Sequence, residues 1–227
     1  MNSISIVIPA LNEKDGIVST IRTIPKARLE QMGYTVQILV VDKGSSDGTG
    51  GLAKQVGADV VVEQKRGYGS AFKCGFANAK GDIIATSDAD ATYPVESIPD
   101  LVTILESEQL DFITTNRFAY LDKSAMSTRN KMGNLVLNLT VSILFNLRLK
   151  DSQSGMWVFR KDLLNRLVLT SNTPLSQELK IEACHFAKSR WKEVPIKYKP
   201  RSGKAKLGGW VVGFGNLLHL FKKRIRR

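Results

Sequence analysis

Along residues 1–117, short apolar runs alternate with stretches of helical spacing. "ISIVIPA" (4–10) predicts a buried strand stopped by Pro9, "TVQILVVD" (35–42) a second and "ADVVVEQ" (58–64) a third. "GDIIATSD" (81–88) and "LDFITTNR" (110–117) predict two more. Between them, residues 14–31 (interrupted near Pro25), 47–56, 68–79 and 94–106 read as helices. Strands with near-continuous apolar cores that alternate with helices indicate an α/β fold, a mostly parallel sheet covered on both faces. Ligands in such sheets sit at the strand carboxyl ends. Asp42 and the pair Asp88/Asp90 both fall at such ends.

The second half has a different pattern. Residues 130–150, "NKMGNLVLNLTVSILFNLRLK", read as a helix with one narrow polar stripe. Asn130, Asn134, Asn138, Ser142 and Asn146 recur every four residues, and most of the remaining circumference is apolar. Such a helix is buried in a core, pressed against another copy, or laid in a membrane interface. Its apolar runs are too short for a membrane span. A strand ("GMWVFRK"), two helical stretches (162–169 and 176–188) and an extended segment ("WKEVPIKYKP") follow. Residues 207–221 are mostly apolar and lead into a basic cluster, which predicts an interfacial or docking helix whose basic end faces lipid phosphates.

Composition and charge narrow the classes. With 227 residues, 43% hydrophobic and 24% charged, the chain suits one large domain, or one domain with an appendage. Its two cysteines, Cys74 and Cys184, make no disulfide framework and read as reduced thiols. No secretory leader is read, since the N-terminal apolar stretch is short, lacks a basic lead and is broken by Pro9. The net charge is +12. From Arg201 onward there are eight Lys or Arg and no Asp or Glu, against 25 basic and 21 acidic residues before it. That end is either simply solvated or suited to an anionic partner: nucleic acid, acidic lipid or a phosphorylated ligand.

The candidate chemistry centres on "TSDADATYPV" (86–95). Two carboxylates two positions apart repel, and a hard divalent cation such as Mg²⁺ or Mn²⁺ would offset that cost. The ion would also grip a diphosphate leaving group, as a Lewis acid. A solvated turn is the plain alternative. In "VVDKGSSDGTG" (40–50), the Asp42 carboxylate can accept from the ring N–H of uracil or guanine, and Asp47 can cap the next helix. A turn with a helix cap accounts for the same residues. In "QKRGYGSAFKCG" (64–75), Gly67 and Gly69 bracket a turn that opens a helix, where Lys65 or Arg66 could meet a phosphate. A lone Gly-x-Gly is weak, and a plain turn is the stronger reading.

"IVIPALNE", "VVDKGSSDGT", "GYGSAF", "SDADATYP", "NRF" and "DSQSGMWVFRKDLL" occur in the order and near the spacing of family 2 glycosyltransferases with the GT-A fold, which the chain resembles over about residues 4–215. "QELKIEA" and "VPIKYKPRSGKAKLGG" resemble the dolichyl- or polyprenyl-phosphate sugar synthases within that family. The resemblance implies a GT-A domain over residues 1–206, with a nucleotide-binding half (1–117) and an acceptor half (118–206), then a docking tail (207–227). It implies that Pro9, Ala10, Asn12, Glu13, Asp42, Lys43, Gly69 and Ala89 line the nucleotide pocket. Asp88 and Asp90 would be the metal motif, Asp90 nearest the ion. Arg117 and Arg129 would be cations near the donor or acceptor phosphate, with Lys131 beside them. Gln177 and Glu178 match a pair at the reacting end of the cleft, and Arg201 and Lys206 would close over the diphosphate. Lys43 stands where the family usually has Asp, Thr92 where its mannose synthases often carry Gln, and Leu11 where Tyr is common.

A sugar hydroxyl acceptor needs a general base, whereas a lipid phosphate is already an anion and needs cations and an apolar groove. Arg117, Arg129, Lys131 and the 132–149 helix supply these. The expectation is therefore a metal-dependent, inverting transferase moving one sugar from a UDP- or GDP-sugar to a polyprenyl phosphate at the cytoplasmic membrane face. It would be peripheral, would not bind nucleic acid, and could be a homo-oligomer. The rivals are transfer to a hydroxyl acceptor, a sugar-nucleotide pyrophosphorylase, and a non-enzymatic docking module for membrane or nucleic acid.

Overall fold

The computed structural model describes residues 2–121, 124–201 and 209–226, with the backbone alone for 209–212. Seven strands form one sheet: β1 (Asn2–Ala10), β2 (Tyr34–Asp42), β3 (Asp59–Val62), β4 (Ile83–Thr86), β5 (Phe112–Leu121), β6 (Trp157–Arg160) and β7 (Trp191–Tyr198). Their order is β3-β2-β1-β4-β6-β5-β7. β6 runs antiparallel to both of its neighbours, and every other pairing is parallel. The mostly parallel α/β sheet expected from the apolar runs is present, with the "GMWVFRK" strand as its one reversed member.

Eight α-helices accompany the sheet in the described residues: α1 (Lys14–Thr23), α2 (Lys26–Gln31), α3 (Thr49–Gln55), α4 (Tyr68–Asn78), α5 (Ile98–Ser107), α6 (Thr128–Phe145), α7 (Leu175–Ile181) and α8 (Gly209–Arg226). Pro25 separates α1 from α2, because it has no N–H to continue the ladder. The 162–169 stretch is a 3₁₀ turn, Lys161–Arg166, and α7 runs on into a π turn, Glu182–Phe186. Period-2 alternation sorts the strand residues to the two faces. Ile4, Ile6 and Ile8 pack with Ile17, Leu29, Val102 and Leu105 from α1, α2 and α5. On the other face Val7, Leu39 and Val41 join Phe72, Val141, Leu179 and Leu220 from α4, α6, α7 and α8. The result is helix, sheet and helix in three layers.

α6 buries one apolar side against the core and leaves a second apolar side exposed. The Ser127 hydroxyl caps its start and Asn146, at φ 49°, ends it in the left-handed conformation. Asn134, Asn138 and Ser142 of the polar stripe are half-buried and Asn130 is exposed, while Leu137, Val141 and Phe145 face the core. The Asn138 amide donates to the Lys150 carbonyl at 2.6 Å and accepts from the Ser152 N–H at 2.8 Å. Met132, Leu135, Val136, Leu139 and Ile143 face outward, Leu135 and Ile143 being 68% and 72% exposed. α8 packs against α6 and adds Phe214, Leu218, Phe221 and Ile225 to the exposed apolar surface. No helix among the described residues is long and apolar enough to cross a membrane.

The basic end expected as an appended tail is not free of the body. Leu220 is fully buried in the core. Lys223, counted among the charges that would face lipid, is buried instead. Its ammonium lies 3.0 Å from Glu178 Oε1 and 2.6 Å from Glu182 Oε1.

Candidate active site

β1 has β2 on one side and β4 on the other, so the chain changes its direction of progress across the sheet after β3. Loops leaving the strand carboxyl ends diverge at such a switch point, where open α/β sheets take their ligands. Ala10 and Asp42 end β1 and β2 in register. Just past β4, the Ser87 N–H donates to the Val7 carbonyl at 3.2 Å. The two-carboxylate turn therefore starts beside β1.

Asp88 and Asp90 have unlike surroundings. Asp88 Oδ1 accepts from the Tyr68 hydroxyl at 2.7 Å. A Cβ on Gly155 would stand 2.5 Å from that Tyr68 oxygen, so the glycine makes room for it. Burial first, and the neighbouring Asp90 charge second, push the Asp88 carboxyl up to about 7, against the opposing pull of Tyr68, Arg117 and Arg201. Asp90 is only 6% exposed. Its Oδ1 accepts from the Thr92 N–H at 3.2 Å and the Thr92 hydroxyl at 2.7 Å. Its Oδ2 lies 3.1 Å from Arg201 Nη1, and Arg201 Nη2 pairs with Glu13. α1 approaches this turn closely, since a Cβ on Gly16 would come within 2.5 Å of the Ala89 carbonyl.

Among the described residues no group of three or more His, Cys, Asp or Glu side chains could hold a metal. A pair of carboxylates nonetheless fits a hard divalent cation that takes its remaining oxygens from a phosphorylated ligand and water. The raised Asp88 fits as well, because a nearby cation would remove the cost of charging it.

The other residues of the expected nucleotide pocket gather around the ends of β1 and β2. Pro9, Ala10 and Ala89 are buried. Asn12, at φ 51°, donates its N–H to the Ser45 hydroxyl at 2.9 Å and accepts from the Ser46 N–H at 2.8 Å. Asp42 Oδ1 accepts from the Ser45 N–H at 2.8 Å and its hydroxyl at 2.6 Å. Lys43 reaches across to α4, donating to the Lys65 carbonyl and to Ser70 Oγ at 3.0 Å. Burial holds its ammonium below the ordinary lysine value.

The helix opened by Gly67 and Gly69 is occupied by the chain itself. Gly69 N–H donates to the Asn172 carbonyl at 2.7 Å and Ser70 N–H to the same oxygen at 3.3 Å. In this structure both donors are taken by the Asn172 carbonyl. Lys206 lies outside the described residues.

A second compartment adjoins the acidic turn. Tyr93 and Tyr198 meet edge to face at 5.2 Å, and the Arg117 guanidinium stands 5.3 Å from the Tyr198 ring centre. Beyond them a cavity of about 850 Å³ opens between α6 and α8, with Arg117, Arg129, Met132, Val136, Tyr198 and Phe214 in its lining. Arg117 is oriented rather than free. Its Nε and Nη2 donate to the Asp151 carboxylate at 2.7 and 2.9 Å. Burial alone would raise Asp151, but Arg117 overrides it and holds the carboxyl below its ordinary value. The buried Lys180 ammonium donates to the Asp151 carbonyl at 2.5 Å, and burial lowers it to about 8. Arg129 is exposed on the first turn of α6, and Lys131 is half-buried two residues on.

Gln177 and Glu178 stand behind this cavity rather than in it. The Gln177 amide donates to the Asn216 carbonyl at 2.7 Å and accepts from Gln153 at 3.0 Å. Glu178 accepts from Thr170 and Ser171 N–H groups and from Lys223, so it ties a loop to α8. Sequence reasoning passed over Tyr68, Tyr93, Tyr198 and Asp151, although Asp151 opens the quoted "DSQSGMW" and Tyr68 lies in "GYG". Only their partners, far along the chain, reveal their part.

Known proteins place this geometry. The chain is 28% identical over 229 residues to a dolichyl-phosphate hexose transferase of Haloferax volcanii, covering 99% of this chain and 97% of that one. It is 33% identical over 216 residues to the low-salt glycan biosynthesis hexosyltransferase Agl6 of the same organism, 93% of this chain but only 51% of the relative. The chain thus spans about half the length of Agl6. Glucosyl-3-phosphoglycerate synthase from Mycobacterium tuberculosis, solved with Mn²⁺, UDP-glucose and phosphoglyceric acid, superposes with a TM-score of 0.76 at 21% identity, over 98% of this chain and 79% of that one. The fold is the GT-A arrangement. The family model for glycosyl transferase family 2 matches residues 5–168, so the chain belongs to that family and is a glycosyltransferase.

Proposed function

We propose that the protein moves a single hexose from a UDP- or GDP-sugar to a polyprenyl or dolichyl phosphate at the cytoplasmic face of a membrane. The observation that carries this reading is the cavity between α6 and α8. It is apolar along its walls, has Arg117 and Arg129 in its lining, and is linked through Tyr198 and Tyr93 to the acidic turn. A lipid phosphate needs cations for its head and an apolar wall for its chain, and this compartment has both. α6 supports the same reading, since its exposed side carries Met132, Leu135, Val136, Leu139 and Ile143, which suits apolar surroundings. The name of the Haloferax relative adds weight.

Asp88 and Asp90 would hold Mg²⁺ or Mn²⁺, which when bound supplies Lewis-acid help to the departing diphosphate. Asn12, Glu13, Asp42 and Lys43 would frame the nucleoside, and Arg201 with Lys206 the diphosphate. Arg117, aimed by Asp151, would meet the acceptor phosphate together with Arg129 and Lys131. Attack opposite the leaving diphosphate inverts the anomeric centre. A hydroxyl acceptor would need a base. Asp151 and Glu178, the carboxylates behind the cavity, are both bound to cations.

Incubation with labelled UDP- and GDP-sugars, Mn²⁺, and either phytanyl phosphate or a free oligosaccharide tests the acceptor. Label should pass to the lipid; passage to the oligosaccharide alone overturns the reading. Asp90→Ala should abolish transfer while leaving the fold intact by circular dichroism, and normal turnover of that variant would refute the metal role.

A further inference from the structure

We propose that Arg201 is a built-in counter-cation of the acidic site, holding the Asp90 oxygen that a divalent ion needs until the metal and nucleotide arrive together. This rests on the metal reading above and goes beyond it.

The argument starts from the two oxygens of Asp90. Oδ1 is committed to the N–H and hydroxyl of Thr92. That leaves Oδ2, and Arg201 Nη1 is 3.1 Å from it. The same guanidinium pairs with Glu13, so it bridges the start of α1 to the turn after β4. Asp90 and Glu13 are mostly buried, their side chains only 8% and 13% exposed. Two such carboxylates are costly to charge unless something neutralises them. Arg201 pairs with both and offsets one of the two charges.

The arrangement is incomplete on the arginine's side. Arg201 Nε is buried and has no hydrogen-bond partner among the described residues. A buried donor without an acceptor is costly, so this position holds the arginine less well than one that satisfied all of its N–H groups. A guanidinium presents its donors as a planar fork that suits phosphate oxygens. A diphosphate beside the turn would offer Nε its missing acceptor while drawing the guanidinium off Asp90. Metal alone must displace Arg201 from Asp90 and leave it the Glu13 pair only, whereas metal with nucleoside diphosphate gives the arginine a new anion. The consequence is coupled binding: weak affinity for the bare ion and strong affinity for the pair.

Titration of the full-length protein with Mn²⁺, read by the paramagnetic resonance signal of the free ion, tests this with and without UDP or GDP. Arg201→Gln should bind bare Mn²⁺ roughly tenfold more tightly than the wild type, the ratio expected if the guanidinium occupies the oxygen about nine-tenths of the time. That variant should gain much less from added nucleotide than the wild type does. Arg201→Lys keeps a charge, and should lie between the two. If Arg201→Gln binds bare Mn²⁺ no better than the wild type, and both tighten equally with nucleotide, the counter-cation role is overturned while the metal reading stands. If no form binds Mn²⁺ under any condition, both fall.

Discussion

Lys223 shows how much one side chain can depend on its neighbours. It lies in a run of basic residues at the end of the chain, yet its ammonium is buried between Glu178 and Glu182. Removing one partner of a buried pair leaves the other charge uncompensated, which costs about 3–5 kcal/mol. Lys223→Met should therefore lower the urea-unfolding free energy by about 3 kcal/mol. The same cluster sets an acid limit. Burial alone would raise Glu178, but the Ser171 N–H and Lys223 outweigh it, so its carboxyl is held below the ordinary value. A group depressed on folding binds fewer protons when native than when unfolded, and it stabilises the fold above its unfolded value of about 4.3. That contribution is lost as the pH falls through the lower, folded value. Glu178→Gln should thus start from a lower melting temperature at pH 7 and lose less of it between pH 5 and 3 than the wild type. Equal acid slopes would contradict the assignment.

At the scale of elements, α4 is built to receive another part of the chain. Gly67 sits at φ 106°, and a Cβ there would lie 2.1 Å from the Asn172 carbonyl. That carbonyl also caps α4 through Gly69 and Ser70. Gly67→Ala combines left-handed strain with a backbone clash, and each source costs on the order of 1–3 kcal/mol. A fall of several degrees in melting temperature is expected; an unchanged value would mean that the segment around Asn172 does not dock as described. The motif "GYG" reads as a turn from either viewpoint. Whether its N–H groups face a ligand or the chain is decided by residue 172, about a hundred positions away.

At the scale of the whole molecule, the described residues of α6 and α8 expose Leu135, Leu139, Ile143, Phe214, Phe221 and Ile225 beside the basic end of α8. With a net charge of +12, association with anionic vesicles should be strong at low salt and weaken as salt screens the charge. Leu135→Asp should reduce vesicle sedimentation several-fold and leave the melting temperature nearly unchanged, because the side chain already faces outward. A large loss of stability would instead place Leu135 against another copy of the chain.

What the sequence determined by itself was short in range. Alternation and apolar runs specify strands and helices within ten or twenty residues, so β1, β2, β4, α1 and the position of Asp88 and Asp90 after a strand were legible. The ordered motifs carried the family. Tertiary structure alone decided which charges are available. Arg117 and Asp151 are 34 residues apart and meet only because β5 and the loop before β6 are brought together. Lys223 and Glu178 are 45 apart, and Arg201 reaches Glu13 across 188 residues. A charge in a sequence has a sign but no partner. Its partner, its burial and the oxygen it occupies follow from how the sheet and its two helical layers close on one another.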